Sequence, residues 1–299
     1  MTRSKWLRRL RKALTVCAVL AVVLLAAGAG GYASLFSGRV ETPDSLRRSE
    51  ARLSGLTEKP VGFWNRDGQE LAGRLYFAEG KDADGLIVLA HGMGNGRRAY
   101  ADVISFFAGS GYFVFAYDAT GYDDSGGSST RGVPQVRLDL DAALDAAEAL
   151  PEAAGLPVFL VGHSLGAYAV CSVLPEHPEV RAAAALAGFN STADLIRARF
   201  GFAGLLLTPG ALLLERLRFG SDAAQTSVDG LASSQAKLLI VHSADDPEVP
   251  IACGLELYET CLGADPRFAF LRLEAGGHGD IFTPEVRTAC LTLFDSCKP

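Results

Sequence analysis

Six short apolar runs recur along the chain: Leu86–Ala90, Phe113–Tyr117, Val158–Val161, Ala182–Ala187, Leu238–His242 and Phe268–Leu273. Apart from His242 and Arg272 each is apolar at successive positions, so a strand built from it has two faces to bury, and helices must cover both sides of its sheet. Most of the intervening segments have helical spacing. Tyr100–Ala108 is one; in another, Val136–Leu150, the residues Val136, Leu140, Ala143, Leu144, Ala147 and Leu150 fall on one face. This alternation predicts an α/β architecture, a mainly parallel sheet with helices on both faces. Upstream, Val61–Asn65 and Leu71–Phe77 flank Arg66-Asp67-Gly68-Gln69, where Asp-Gly marks a hairpin turn and adds two strands. Residues 190–235 break the rhythm. They are too many for a simple crossover, so they are expected to form an insertion with its own helices. With 299 residues, 49% of them apolar and 21% charged, the chain can bury a large core and is neither disordered nor fibrous.

In parallel sheets, function gathers at the carboxyl ends of strands. Directly after Val158–Val161 stands Gly162-His163-Ser164-Leu165-Gly166, followed by an apolar helix. This is the G-x-S-x-G pattern, in which the glycines permit a tight strand-to-helix turn that lifts the serine hydroxyl above the sheet. The helix amino terminus beneath it favours negative charge. With this motif in this context, residues 61–297 resemble the α/β-hydrolase superfamily. The resemblance implies an eight-stranded, mainly parallel sheet with a small helical cap at 190–235, and a serine hydrolase acting on carboxylic esters or related acyl bonds without cofactor or metal. Carried over residue by residue, His91-Gly92-Met93-Gly94 after Leu86–Ala90 matches the oxyanion loop. The backbone amides of Met93 and Leu165 would then face the developing oxyanion. Ser243-Ala244-Asp245-Asp246-Pro247-Glu248-Val249-Pro250 follows Leu238–His242; the family's acid stands four residues before that final proline, which selects Asp246 over Asp245. Glu274-Ala275-Gly276-Gly277-His278 follows the last strand and matches the histidine loop. Ser164, Asp246 and His278 occur in the order of this fold. A serine hydroxyl needs a base to take its proton, here His278, and Asp246 would fix the imidazole tautomer.

The remaining histidines have structural readings. His91 belongs to the oxyanion loop, His163 points away from the serine side chain, His242 ends a strand, and His177, flanked by Pro175-Glu176 and Pro178, is expected to be exposed. Asp118, in the loop that opens Tyr117-Asp118-Ala119-Thr120-Gly121, is read as a turn-capping carboxylate. The middle of the insertion is apolar: Phe200, Phe202, Leu205, Leu206, Leu207, Leu212, Leu213 and Leu214. These residues either shield an acyl pocket, with a possible bilayer contact, or simply pack the cap onto the domain. Arg197, Arg199, Arg216 and Arg218 read as a solvated face. No phosphate-binding loop, dinucleotide fingerprint or metal-ligand spacing is present in the sequence.

The amino terminus carries a second signal. Residues 1–12 hold six basic residues and no acidic one, and residues 13–36 form an uncharged, largely apolar run of a length that spans a membrane. The basic head predicts a cytoplasmic amino terminus at residues 1–12 and a signal anchor at 13–36. A stalk at 37–60 then leads to an extracytoplasmic domain at 61–299. A secretory signal cleaved after Ala29 or Ala33 is the alternative. Outside the head, 34 acidic residues outnumber the basic ones, which argues against nucleic acid as a partner. The expected partners are the membrane and a small-molecule or lipid-like acyl substrate. Four cysteines, Cys253, Cys261, Cys290 and Cys297, lie outside the apolar segments of Cys17 and Cys171. Cys253 and Cys261 are about 12 Å apart along a helix, too far to be bridged. A Cys261–Cys297 bridge is the preferred pairing, and four free thiols the alternative. Functional alternatives are a peptidase, thioesterase or acyltransferase of the same fold, or a non-catalytic binding protein.

Overall fold

The computed structural model describes residues 3–80 and 83–298, with the side chains of all of these but 3, 4 and 47–50. Met1 and Thr2 of the expected basic head, and Lys81, Asp82 and Pro299, lie outside the described residues. The chain opens with helix α1 (Arg3–Leu35), whose described residues are exposed up to Val23. At about 1.5 Å per residue it is about 50 Å long, more than a bilayer's hydrocarbon thickness of about 30 Å. A short helix α2 (Asp44–Arg47) and a 3-10 turn lead into the hairpin β1 (Thr57–Trp64) and β2 (Glu70–Phe77). The alternation follows as β3 (Leu86–Ala90), α3 (Ala101–Gly109), β4 (Phe113–Tyr117), α4 (Val133–Glu148), β5 (Val158–His163), α5 (Leu165–Val173) and β6 (Val180–Leu186). The insertion holds α6 (Thr192–Phe219) and α7 (Ser227–Ser233); then come β7 (Lys237–Ser243), α8 (Leu255–Leu262), β8 (Phe268–Leu273) and α9 (Pro284–Asp295).

The strands form one eight-stranded sheet in the order β1-β2-β4-β3-β5-β6-β7-β8. The β1–β2 and β2–β4 pairs are antiparallel and the others parallel. Alternate residues supply opposite faces. Leu86, Val88 and Ala90 of β3 join the layer of α4, α5 and α8, while Ile87 and Leu89 join the layer of α3 and α9. All five β3 residues are buried, the condition its unbroken apolar run requires.

This two-layer arrangement decides the cysteines. All six are free. Cys253 and the helix of Cys261, α8, pack on one face of the sheet, whereas Cys290 and Cys297 pack on the other. The expected Cys261–Cys297 bridge would have to pass through the sheet, and a disulfide joins only Cα atoms within about 7 Å. His177 is a second correction. It is buried, with Nε2 3.0 Å from Asp141 and Nδ1 2.7 Å from Glu179. Burial draws its imidazole down, but these two carboxylates outweigh burial and hold it above its ordinary value. The flanking prolines shape a turn that folds back onto α4 rather than out into water.

The segment expected as a stalk lies against the domain. Val40 bridges to Tyr122, the Arg39 guanidinium donates to the carbonyls of Asp123, Ser125 and Gly127, and Thr42 is bonded to the Asp123 carboxylate. The last four residues of the expected 37–60 stalk form the start of β1. The carboxyl-terminal turns of α1 dock as well. Tyr32 and Phe36 are buried, each side chain removing apolar surface worth roughly 1.5–3 kcal/mol. Tyr32 Oη donates to the Glu215 carboxylate of α6 and accepts from the Val133 amide at 2.8 Å. Helix α6 is kinked at Gly201, where φ is 53°, into two segments. The second segment meets α1 at two glycines. A side chain at Gly28 would collide with the Leu207 carbonyl, and one at Gly210 with the Leu25 carbonyl, so only hydrogen there lets the backbones approach.

Candidate active site

The turn between β5 and α5 is as tight as the glycine pattern requires. A Cβ on Gly162 would overlap the Gly166 carbonyl, and one on Gly166 would overlap the carbonyls of Ala90 and His91. Between them Ser164 is held at φ 54°, ψ −116°, a conformation that non-glycine residues adopt only under constraint. Its amide donates to the Leu186 carbonyl at 2.8 Å, which pins the turn to β6. The side chain stands at the amino end of α5, and its Oγ is bonded to none of the described residues.

Asp246 and His278 meet. His278 Nδ1 is 2.7 Å from Asp246 Oδ2, and Oδ1 of the same carboxylate accepts from the amides of Glu248 and Val249, each at 2.9 Å. Burial by itself would raise the Asp246 carboxyl. The side chains of His242 and His278 and the Val249 amide overcome this and hold it far below the usual carboxylate range. It is therefore an anion that accepts the Nδ1 proton of His278 and leaves Nε2 as the basic nitrogen. The competing carboxylate, Asp245, is not bonded to the imidazole. Its Oδ1 accepts from Ser243 Oγ at 2.5 Å and from the Gly277 amide at 2.9 Å. Ser164, His278, Met93 and Leu165 line one cavity of about 660 Å³. Leu165 is the first residue of α5, where an amide has no partner within the helix.

Several groups around these residues were not legible as functional in the sequence. The Gly92 amide donates to Tyr100 Oη at 2.8 Å; Tyr100 Oη lies 2.8 Å from His163 Nδ1; His163 Nε2 lies 2.8 Å from the His278 carbonyl. A carbonyl only accepts, so His163 carries its proton on Nε2 and receives one from Tyr100 at Nδ1. Burial, together with the neighbouring His278, lowers the His163 imidazole to about 4 and keeps it neutral. This chain ties the loop after β3 to the loop after β8 through the end of β5. His242 is the other unforeseen neighbour: Nε2 donates to the Val249 carbonyl at 2.9 Å and lies 3.4 Å from Asp246.

The structural readings of the other residues agree with their places. His91 is buried, bonded to the Gly92 carbonyl and the Ala119 amide, and burial lowers it to about 4. Asp118 is buried and pairs with the Arg97 guanidinium, accepting the Arg97 amide at 2.9 Å. In the cap, Arg199 donates to the Glu248 carbonyl at 2.7 Å and so fastens α6 to the loop after β7. Phe200, Phe202, Leu205, Leu206 and Leu213 are exposed, so this part of the apolar insertion does not pack the cap onto the domain. Among the described residues no cluster of His, Cys, Asp and Glu with metal-binding geometry occurs.

Residues 81–218 match the family described as serine aminopeptidase, S33. No curated protein sequence matches the chain. Among solved structures, an esterase of Pyrococcus furiosus superposes with a TM-score of 0.65 at 20% identity, covering 87% of this chain and 99% of that one. The acylaminoacyl peptidase of Pyrococcus horikoshii superposes with a TM-score of 0.62 at 17% identity, covering 83% of this chain and 43% of that one. A puromycin hydrolase gives 0.63 at 15% identity, covering 81% of this chain and 39% of that one. At such identities the likeness is one of fold.

Proposed function

Since the chain is an α/β-hydrolase by fold, we propose that it is a serine hydrolase that cleaves carboxylic esters through an acyl-Ser164 intermediate. The observation that carries this reading is the 2.7 Å contact of His278 with an ionised Asp246, in the cavity that Ser164 also lines. In the proposed reaction His278 Nε2 takes the Ser164 proton as Oγ attacks the ester carbonyl. The amides of Met93 and Leu165 receive the charge that builds on the carbonyl oxygen, each donor being worth about 2.7–4 kcal/mol in comparable sites. His278 then returns the proton to the departing alcohol, and water repeats the sequence on the acyl-enzyme. Asp246 keeps the imidazole in the needed tautomer. The open contact between Ser164 and His278 is one that substrate binding closes in many such sites.

The lining of the cavity favours esters of apolar acids. The match to a serine aminopeptidase family supports a second reading, hydrolysis of peptide amides, and an aminoacyl-anilide assayed beside an ester separates the two. For location we propose a signal anchor with the catalytic domain outside the cytoplasm. Its support is the basic head, the apolar length of α1, and the docking of Gly28 and Tyr32 into the domain, which cleavage after Ala33 would abolish. Ser164→Ala is expected to lower ester hydrolysis by about three to six orders of magnitude while preserving the fold, read by steady-state rates and circular dichroism. A fluorophosphonate should label the wild type at Ser164. Undiminished activity in the variant would refute the assignment.

A further inference from the structure

We propose that the last three turns of α1 form one wall of an acyl-chain site, so that the membrane helix selects the substrate as well as holding the protein; this rests on the serine-hydrolase reading above. The cavity at Ser164 runs between two helices. Ala27, Gly31 and Leu35 of α1 line one side, and Leu195, Phe200 and Leu207 of α6 line the other. At about 660 Å³ it is of the size that takes a small ligand whole. Apart from the reacting groups its walls are mostly hydrocarbon. The charged side chain of Arg199 at its edge is turned to the Glu248 carbonyl. Such a space rewards each methylene moved out of water and offers little to a charged or heavily hydroxylated acyl group.

The α1 wall is fixed rather than incidental. Gly28 and Gly210 bring the two helices to backbone contact, and Tyr32 is bonded at once to Glu215 of α6 and to the Val133 amide of α4. Gly31 differs from these glycines. A Cβ there meets nothing within 4 Å, although the residue lines the cavity. A side chain placed at 31 therefore enters open space without disturbing the helix pair. The ligand is a long-chain acyl ester, either a bilayer lipid or an ester free in water. Phe202, Leu205 and Leu213 on α6 and Val23 on α1 are exposed apolar side chains of the two paired helices.

The test uses the full chain in detergent micelles with p-nitrophenyl esters from butyrate to palmitate. Rates are normalised to sites titrated by a fluorophosphonate. In Gly31→Phe, and independently in Ala27→Phe, the ratio of kcat/KM for laurate to that for butyrate should fall about tenfold or more. An unchanged ratio, or an equal loss at every chain length, overturns the α1 wall while leaving the hydrolase reading intact. Absence of fluorophosphonate labelling in the wild type would instead remove the hydrolase reading itself. The source of the chain is told by presenting one long-chain ester in phosphatidylcholine vesicles and, separately, below its aggregation concentration. Faster turnover from vesicles assigns the bilayer, and faster turnover from solution the aqueous phase.

Discussion

Two carboxylates stand side by side after β7, and their partners divide their work. Asp246 accepts from His278 Nδ1, whereas Asp245 accepts from Ser243 and from the backbone of the histidine loop. Asp246→Asn reverses the hydrogen-bond sense at Nδ1 and is expected to lower kcat by about four orders of magnitude. Asp245→Asn keeps an oxygen for the Gly277 amide and is expected to cost about tenfold or less. Steady-state ester kinetics on both variants check this, and the opposite ranking would exchange the two roles. The motifs around Ser164 were readable because local backbone crowding dictates them: Gly162 and Gly166 have no room for a Cβ. The Tyr100–His163–His278 chain was not readable, since its members lie on segments far apart in sequence and their contacts leave no periodic trace. His177 shows the same limit. Its carboxylate partner Asp141 lies on α4, far upstream, and the nearby prolines suggested an exposed turn.

At the scale of elements, the strands were legible because burial on both faces leaves an unbroken apolar run, as in β3 and β4. The pairing of α1 with α6 was hidden. Gly28 and Gly210 are small residues inside apolar stretches, and nothing local distinguishes a residue facing lipid from one facing a helix. The junction contains a buried acid. Burial raises the Glu215 carboxyl to about 7, against the opposing hydrogen bonds of Tyr32 and Thr192, and Tyr168 of α5 is the other titratable group near it. A raised folded value means the native state holds this proton more tightly than the unfolded chain. Between the unfolded value near 4.5 and the folded value near 7, the unfolded chain ionises first, so stability falls as pH rises. This contribution is on the order of 2–3 kcal/mol. The melting temperature of the wild type is expected to drop between pH 5 and 7.5, and Glu215→Gln to flatten that decline. Equal pH slopes for the two proteins would refute it.

For the molecule as a whole, charge asymmetry and the apolar run made a long apolar amino-terminal helix and an acidic body legible. They did not convey that the two share an interface, because docking is decided by shape. An uncleaved anchor has a direct readout: the intact mass of the membrane-extracted protein should include residues 1–36, and a mature chain beginning at Gly30 or Ser34 would overturn that reading. The close helix pair also limits how far the body can stand from the membrane. Between the basic head and the first packed turn near Leu25, α1 has only residues 13–24 free, about 18 Å of helix. A bilayer interior is about 30 Å deep. On the anchor reading the remaining depth falls to the cap, which rides partly submerged like a float. Where the ester belongs to the bilayer, encounter then becomes a lateral search within a sheet of fluid, governed by how crowded that sheet is with other molecules and not by the volume of liquid above it.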